Sequence, residues 1–317
     1  MELRRLRLLA ELRHSGTIAA AARILGYSPS SVSAQLAELE REAGVPLLVR
    51  VGRNVHLTPA GQRLADHAET ALAEDEHVRG ELAQISRGRA SGTIRVSFVQ
   101  TVALALLPAV VANLTDTAPD LRLELEQIET PPALEDLRAR RIDLAVGIDY
   151  APVPPPRYPD IDRLDLLEED VLLAVPSRSP LSRKHPLTVQ DLRTMAWAVG
   201  NRGGGHHAVT EYLCNRIGEF EPDVRYHTDD ALSLRALVSS GHAVTLLPAL
   251  IGTAAPGVTL RILDGVHLKR VIFTAVRAST TQTANILQVR DALTQAAREA
   301  TTGRTDARVI QPTQPAW

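Results

Sequence analysis

Residues 25–61 read LGYSPSSVSAQLAELEREAGVPLLVRVGRNVHLTPAG, and the fold turns on how they are interpreted. Gly26-Tyr27 is a tight turn. Ser28 is a helix cap, and Pro29 sits at the first helical position, where its missing N–H is harmless. Val32, Leu36 and Leu39 make the inward stripe of that helix. Ser30, Ser31, Ser33, Ala34 and Gln35 are left facing outward. Gly44-Val45-Pro46 ends the helix. Leu47–Arg50 and Val55–Thr58 then form two strands around a turn at Val51-Gly52-Arg53-Asn54.

Upstream, Leu3, Leu6, Leu9 and Leu12 line a first helix, which stops at His14-Ser15-Gly16. Thr17 caps a second helix, Ile18 to Leu25, whose four consecutive alanines allow close packing. Two short helices and a turn, with small polar groups on the second, make a helix-turn-helix pattern; a plain helical hairpin with a polar outer face has the same spacing. Small side chains let a helix enter the DNA major groove. Serine hydroxyls and the helix N-terminus can bond phosphates, and Gln35 can reach base edges. The following hairpin is a wing, with Arg50 at its base and Arg53 at its tip, a charge suited to the narrow minor groove.

On these motifs the stretch resembles the winged helix-turn-helix of LysR-type transcriptional regulators. The serine-rich helix, Leu39-Glu40, the Gly-Val-x-Leu-Leu break, the wing arginines and the Leu-Thr-x-Ala-Gly exit all fall in register. The resemblance implies DNA contacts from Ser28, Pro29, Ser30, Ser31, Ser33, Gln35, Arg50, Arg53 and Thr58. Ala34 departs from the pattern, since many members carry a large polar or basic residue there.

The chain has 317 residues and a formal charge of −2. That balance hides a polarity along the chain. Residues 1–65 carry nine arginines against five glutamates, whereas residues 66–87 carry two arginines against six acids. A basic module followed by an acidic helix suits a nucleic-acid binder. No run of 18 apolar residues is present, which excludes a transmembrane helix. The arginine-studded N-terminus lacks a secretory core, and one cysteine excludes an internal disulfide scaffold. The expected location is the cytoplasm.

From Pro59 to about Arg87, Leu64, Ala68, Ala71, Val78, Leu82 and Ile85 form a heptad seam broken at Asp75. Such a seam suits pairing with a second chain, or an amphipathic helix packed on its own domain. The resemblance implies the former, with dimers and often tetramers.

After Arg87–Gly92 the pattern alternates strand and helix twice, which predicts two α/β lobes with a cleft between them. The expected fold is α/β: an N-terminal winged helix-turn-helix (1–61), a linker helix for dimerisation (62–90), and a two-lobed, periplasmic-binding-protein-like effector domain (91–300). Lobe I takes about 91–165 and 268–300, and lobe II about 166–267. The crossing segments fall near Arg163–Leu167 and Asp264–Lys269. Residues 301–317 read as a disordered tail. TIRVSF (93–98), DLAVGI (143–148), LLAVPSRSPL (172–181) and SSGHAVTLLP (239–248) extend the resemblance through this region.

Ligands of such folds sit at the C-terminal ends of parallel strands, where helix N-termini favour a carboxylate. This points to Gln100, Thr101, Thr130, Asp149, Asn201, Arg202 and Asp229. Arg202 would pair with a carboxylate, and Asp149 or Asp229 with an ammonium. Gly203-Gly204-Gly205-His206-His207 lacks the Lys-Ser/Thr of a phosphate loop and a third metal ligand at helical spacing. Cys214 has no resolving partner. No cofactor, metal or catalytic set is implied. The expected partners are double-stranded promoter DNA with dyad symmetry, a small-molecule effector, a second copy of the chain in a homodimer or homotetramer, and RNA polymerase as a further candidate. Two other classes fit the lobes alone: a cytoplasmic small-molecule-binding protein, or an enzyme on the same scaffold.

Overall fold

A computed structural model describes residues 1–51, 54–87, 90–252 and 256–310. The N-terminal module is built from α1 (Leu3–Ser15), α2 (Ile18–Leu25), α3 (Pro29–Ala43), β1 (Leu48–Val51) and β2 (Asn54–Leu57). Its caps form as the sequence dictates. Thr17 accepts the Ala20 N–H, and Ser28 accepts the Ser31 N–H. Leu9, Leu12, Ala21, Val32, Leu36, Leu39 and Leu47 are buried together. Glu40 accepts the N–H groups of Leu47 and Leu48 at 2.8 and 2.9 Å, tying the end of α3 to the start of the wing. β1 and β2 pair antiparallel from Leu48↔Leu57 to Val51↔Asn54.

The 29-residue α4 (Pro59–Arg87) follows. Its seam divides in two. Ala68 is fully buried in the module's own core, and Leu64 and Ala71 pack on that core. This half of the expected dimer seam is therefore occupied within one chain: the leucine stripe of α1 needs a second apolar surface, and small alanines let α4 approach it. Val78 and Leu82 are 40% and 59% exposed. The Ile85 side chain lies outside the described residues.

Lobe I contains β3 (Gly92–Phe98), α5 (Gln100–Thr117), β4 (Leu121–Gln127), α6 (Thr130–Arg138) and β5 (Leu144–Tyr150). β3 lies between β4 and β5, parallel to both. Next comes β6, a single 16-residue strand (Ile161–Pro176). Lobe II adds β7 (Ala196–Val199), α7 (Gly205–Glu211), β8 (Asp223–His227), α8 (Ala231–Ser239), β9 (Thr245–Pro248) and β10 (Val258–Arg261). β11 (Leu268–Arg277) and α9 (Ala284–Thr301) return to lobe I.

Two expectations need correction, and the crossing segments take a definite form. Arg163–Leu167 lies within β6, and Asp264–Lys269 leads into β11, which pairs antiparallel with β6 from Leu268↔Val171 to Arg277↔Ile161. Among the described residues, the lobes thus share an eight-stranded sheet. The strand–helix alternation expected in lobe II is broken between β6 and β7, where residues 187–195 make a short 3-10 turn at Val189–Leu192 instead of a helix. The tail is ordered at its start: β12 (Ala307–Val309) pairs with β6. Residues 311–317 of that tail lie outside the described residues.

Lobe I buries Val96, Leu106, Val146, Ile272 and Leu293 between its sheet, α5 and α9. Lobe II buries Trp197, Val209, Leu213 and Val244. Burial of this kind contributes roughly 1.5–3 kcal/mol per large side chain.

Candidate functional site

Two surfaces carry the sequence-derived residues. The first is the outer face of α3. Ser28, Pro29, Ser30, Ser33 and Ala34 are exposed there, and Ser31 is half-buried. Ser28 and Ser30 hydroxyls are 3.0 Å apart. Arg50 is exposed on the wing, but not at its base as expected: it pairs with Val55, one residue pair from the turn. Arg53 lies outside the described residues. Two members of the expected set have other work. Gln35 accepts from Arg5 Nε at 3.0 Å, which holds its amide against α1. Thr58 donates to the Pro46 carbonyl and accepts the Gly61 N–H, so it caps α4 and anchors the wing exit.

The second surface is the cleft between the lobes. Gln100 and Thr101 from the start of α5, Glu129 at the start of α6, Ile148 and Tyr150 from β5, His206 from α7, Asp229 before α8 and Arg270 from β11 line it. Its cavity is about 40 Å³, room for a few ordered waters. A second hollow of about 250 Å³ adjoins it, under Pro154-Pro155-Pro156 and beside Thr130 and the Gly203–Gly205 loop. Gly205 is required there, since a Cβ would stand 2.9 Å from the Tyr150 ring.

Arg270 and Glu169 are both buried and bonded at 2.8 Å. Arg270 also donates to Thr101 Oγ1 at 2.9 Å, while Glu169 accepts the Leu250 N–H. Because Arg270 uses a lone pair of Thr101, the Thr101 hydroxyl proton is free to donate elsewhere. Gln100 spans the lobes. It donates to Asp230 at 2.7 Å and accepts the Ala231 N–H at 2.7 Å. His206 Nδ1 accepts the Gly200 N–H, so its Nε2 carries the proton and faces the Leu246 carbonyl at 2.9 Å. Burial lowers its pKa. Glu129 is pushed up to about 7, first by burial and then by Asp229 across the cleft, with Arg270 opposing.

Of the seven expected effector contacts, Gln100, Thr101 and Asp229 meet in the cleft, and Thr130 lines the hollow beside it. Thr130 accepts the Ile148 N–H at 2.9 Å. The other three do not join them. Asp149 turns to Arg163 at 2.7 Å, Asn201 donates to Asp229 at 2.6 Å, and Arg202 is exposed. The cation in the cleft is Arg270. Sequence reasoning missed it, along with His206. Arg270 sits in the strand read as rejoining lobe I, and only its charge within an apolar run could have marked it.

The two adjacent histidines diverge. His207 stacks on His227 with ring centres 5.5 Å apart, away from His206. Cys214 is buried, and its thiol is pushed up to about 12 by burial. Among the described residues no three His, Cys, Asp or Glu side chains are grouped to hold a metal. Among the described residues, too, no helix is long and apolar enough to cross a membrane.

Residues 3–62 match the bacterial regulatory helix-turn-helix protein, lysR family, and residues 87–298 match the LysR substrate binding domain. The transcriptional dual regulator GltC of Bacillus subtilis (strain 168) is 30% identical over 274 residues, 86% of this chain and 89% of that one. Full-length CbnR complexed with its target DNA is 26% identical with a TM-score of 0.53, covering 94% of this chain and 100% of that one. A mutant OxyR of Corynebacterium glutamicum with bound hydrogen peroxide is 25% identical with a TM-score of 0.57, covering 94% and 93%.

Proposed function

Because the chain belongs to the LysR family of DNA-binding transcriptional regulators, we propose that it reads a dyad-symmetric promoter site and reports the occupancy of its interlobe cleft. The observation that carries the reading is the bare face of α3, where Ser30, Ser33 and Ala34 are exposed, with Arg50 exposed on the wing that follows. Small groups there admit the helix to the major groove, and Arg50 with Arg53 meets flanking phosphates. Residues 1–61 act as the DNA module, 62–90 as the linker and 91–300 as the sensor. The protein works in the cytoplasm as a homo-oligomer, without catalytic turnover.

The effector in this reading bears a carboxylate. Its seat is the start of α5, where no side chain caps the helix, so free N–H groups and the positive end of the dipole face the cleft. Thr101 adds a hydroxyl donor. Arg270 contributes less than its charge suggests, because Glu169 neutralises it. The small cavity requires the lobes to part for entry, and closure on the ligand shifts the balance between arrangements of the DNA modules.

The test is a mobility shift on the DNA upstream of the protein's own gene. Sequence-specific retardation at physiological salt is expected. Arg53→Ala should weaken it on all sequences and reduce the log-log salt slope by about 0.9. Equal affinity for scrambled DNA would refute the reading.

A further inference from the structure

Where the DNA module meets lobe I, α1, the first half of α4 and the turn after α6 enclose a cavity of about 250 Å³. It shares no residue with the interlobe cleft. Arg7, Glu11 and His14 face it from successive turns of α1. Arg138, Arg140 and Arg277 face it from lobe I.

Most charges on this wall are matched. Arg138 donates to Asp160 at 2.8 Å and also to His14 Nδ1. Glu69 meets His14 Nε2 at 2.7 Å and Arg13. Arg277 holds both oxygens of Glu76. Two guanidiniums are left short of acceptors. Arg7 gives one N–H to the Ala139 carbonyl, but its Nε is buried with no acceptor among the described residues. For Arg140 the nearest carboxylate is Glu76 at 3.7 Å, which already serves Arg277 and Ser279. Burial lowers the pKa of both arginines, and Arg277 and Arg7 lower that of Arg140 further. Glu11, the remaining acid on the wall, is itself raised by burial, so it favours its neutral form more than an ordinary glutamate and balances them poorly. A buried donor without an acceptor is costly, and crowded like charges add to it.

We propose that this junction is a second ligand site, distinct from the effector cleft, that takes a small oxyanion on Arg7 and Arg140. A bound anion supplies the missing acceptors and links α1 of the DNA module to the end of α6 in lobe I. It therefore favours the docked arrangement of the module over any arrangement in which the two separate. Phosphate and small carboxylates share the required chemistry.

Calorimetric titration of the full-length protein with inorganic phosphate, and separately with sodium acetate, tests this. One saturable site per chain is expected. Arg140→Ala should weaken it about tenfold, and Arg7→Lys, which keeps the charge but removes Nε, should weaken it as well. If Arg140→Ala unfolds on melting, Arg140→Lys replaces it. Stronger uptake of phosphate identifies a phosphate site, and stronger uptake of acetate a carboxylate site. No saturable uptake of either up to about 10 mM, or uptake unchanged in both variants, overturns the proposal. Neither result bears on DNA reading by α3.

Discussion

Glu129 is the residue on which the cleft's response to pH rests. Its carboxyl is raised to about 7 from an ordinary 4.5, mainly by burial and secondarily by Asp229. Between those values the folded chain holds a proton that the unfolded chain has already released. Stability from this residue therefore falls as pH rises from about 4.5 to 7, and is level above that. The effect is at most about 3 kcal/mol. Glu129→Gln should remove it, so the difference in urea midpoint between pH 5 and pH 8 should shrink in the variant. An identical pH dependence in both proteins would mean that Glu129 is not buried as described. The same residue marks the limit of legibility at this scale. Gln100 and Thr101 could be named because a strand end and a helix start are local signals. The raised pKa of Glu129 depends on Asp229 and Arg270, and Arg270 in turn on Glu169, partners that lie far apart in the chain.

Elements whose signal is local were read well, and those built by distant pairing were not. Ser28-Pro29 and the α3 stripe carry their own caps and period, so the helix-turn-helix was legible. β6 was not legible as one strand, because Glu168-Glu169-Asp170 interrupts its apolar run. Glu168 is met by Lys269 and Arg308, and Glu169 by Arg270, partners across the sheet that the strand's own sequence does not reveal. β12 is three residues long, too short for a period to show, and exists because β6 offers an edge. The exit of the wing is a junction of elements, and there Gly61 is fixed by contact. A Cβ on Gly61 would lie 2.1 Å from the Leu47 carbonyl oxygen. That oxygen is held by the Thr58 N–H at 2.9 Å and cannot retreat. Gly61→Ala would gain up to about 1 kcal/mol in helix propensity but lose about 2 kcal/mol or more to overpacking, so the clash wins. Thermal unfolding should shift downward; a rise in midpoint would show that propensity dominates.

At the scale of the whole molecule, we propose that the linker helix decides whether one DNA module or two engage a site. Its first half is sealed into the module by Ala65, Ala68 and Leu72, while Val78 and Leu82 stand in solvent one turn apart. An apolar pair of this spacing, left exposed on a helix whose first half is buried, would present a short seam to a second copy. Pairing there would relate two α3 helices by a twofold axis and match a dyad-symmetric site. Leu82→Glu places a charge in that seam without touching either core. Light scattering should then report a lower oligomer, while the melting temperature of each module stays near that of the parent. Affinity for a two-half-site operator should fall by about 100-fold, the scale of gain that linkage of two modules provides, while affinity for a single half-site should hardly change. Unchanged mass together with unchanged operator affinity would place the dimer contact elsewhere on the chain.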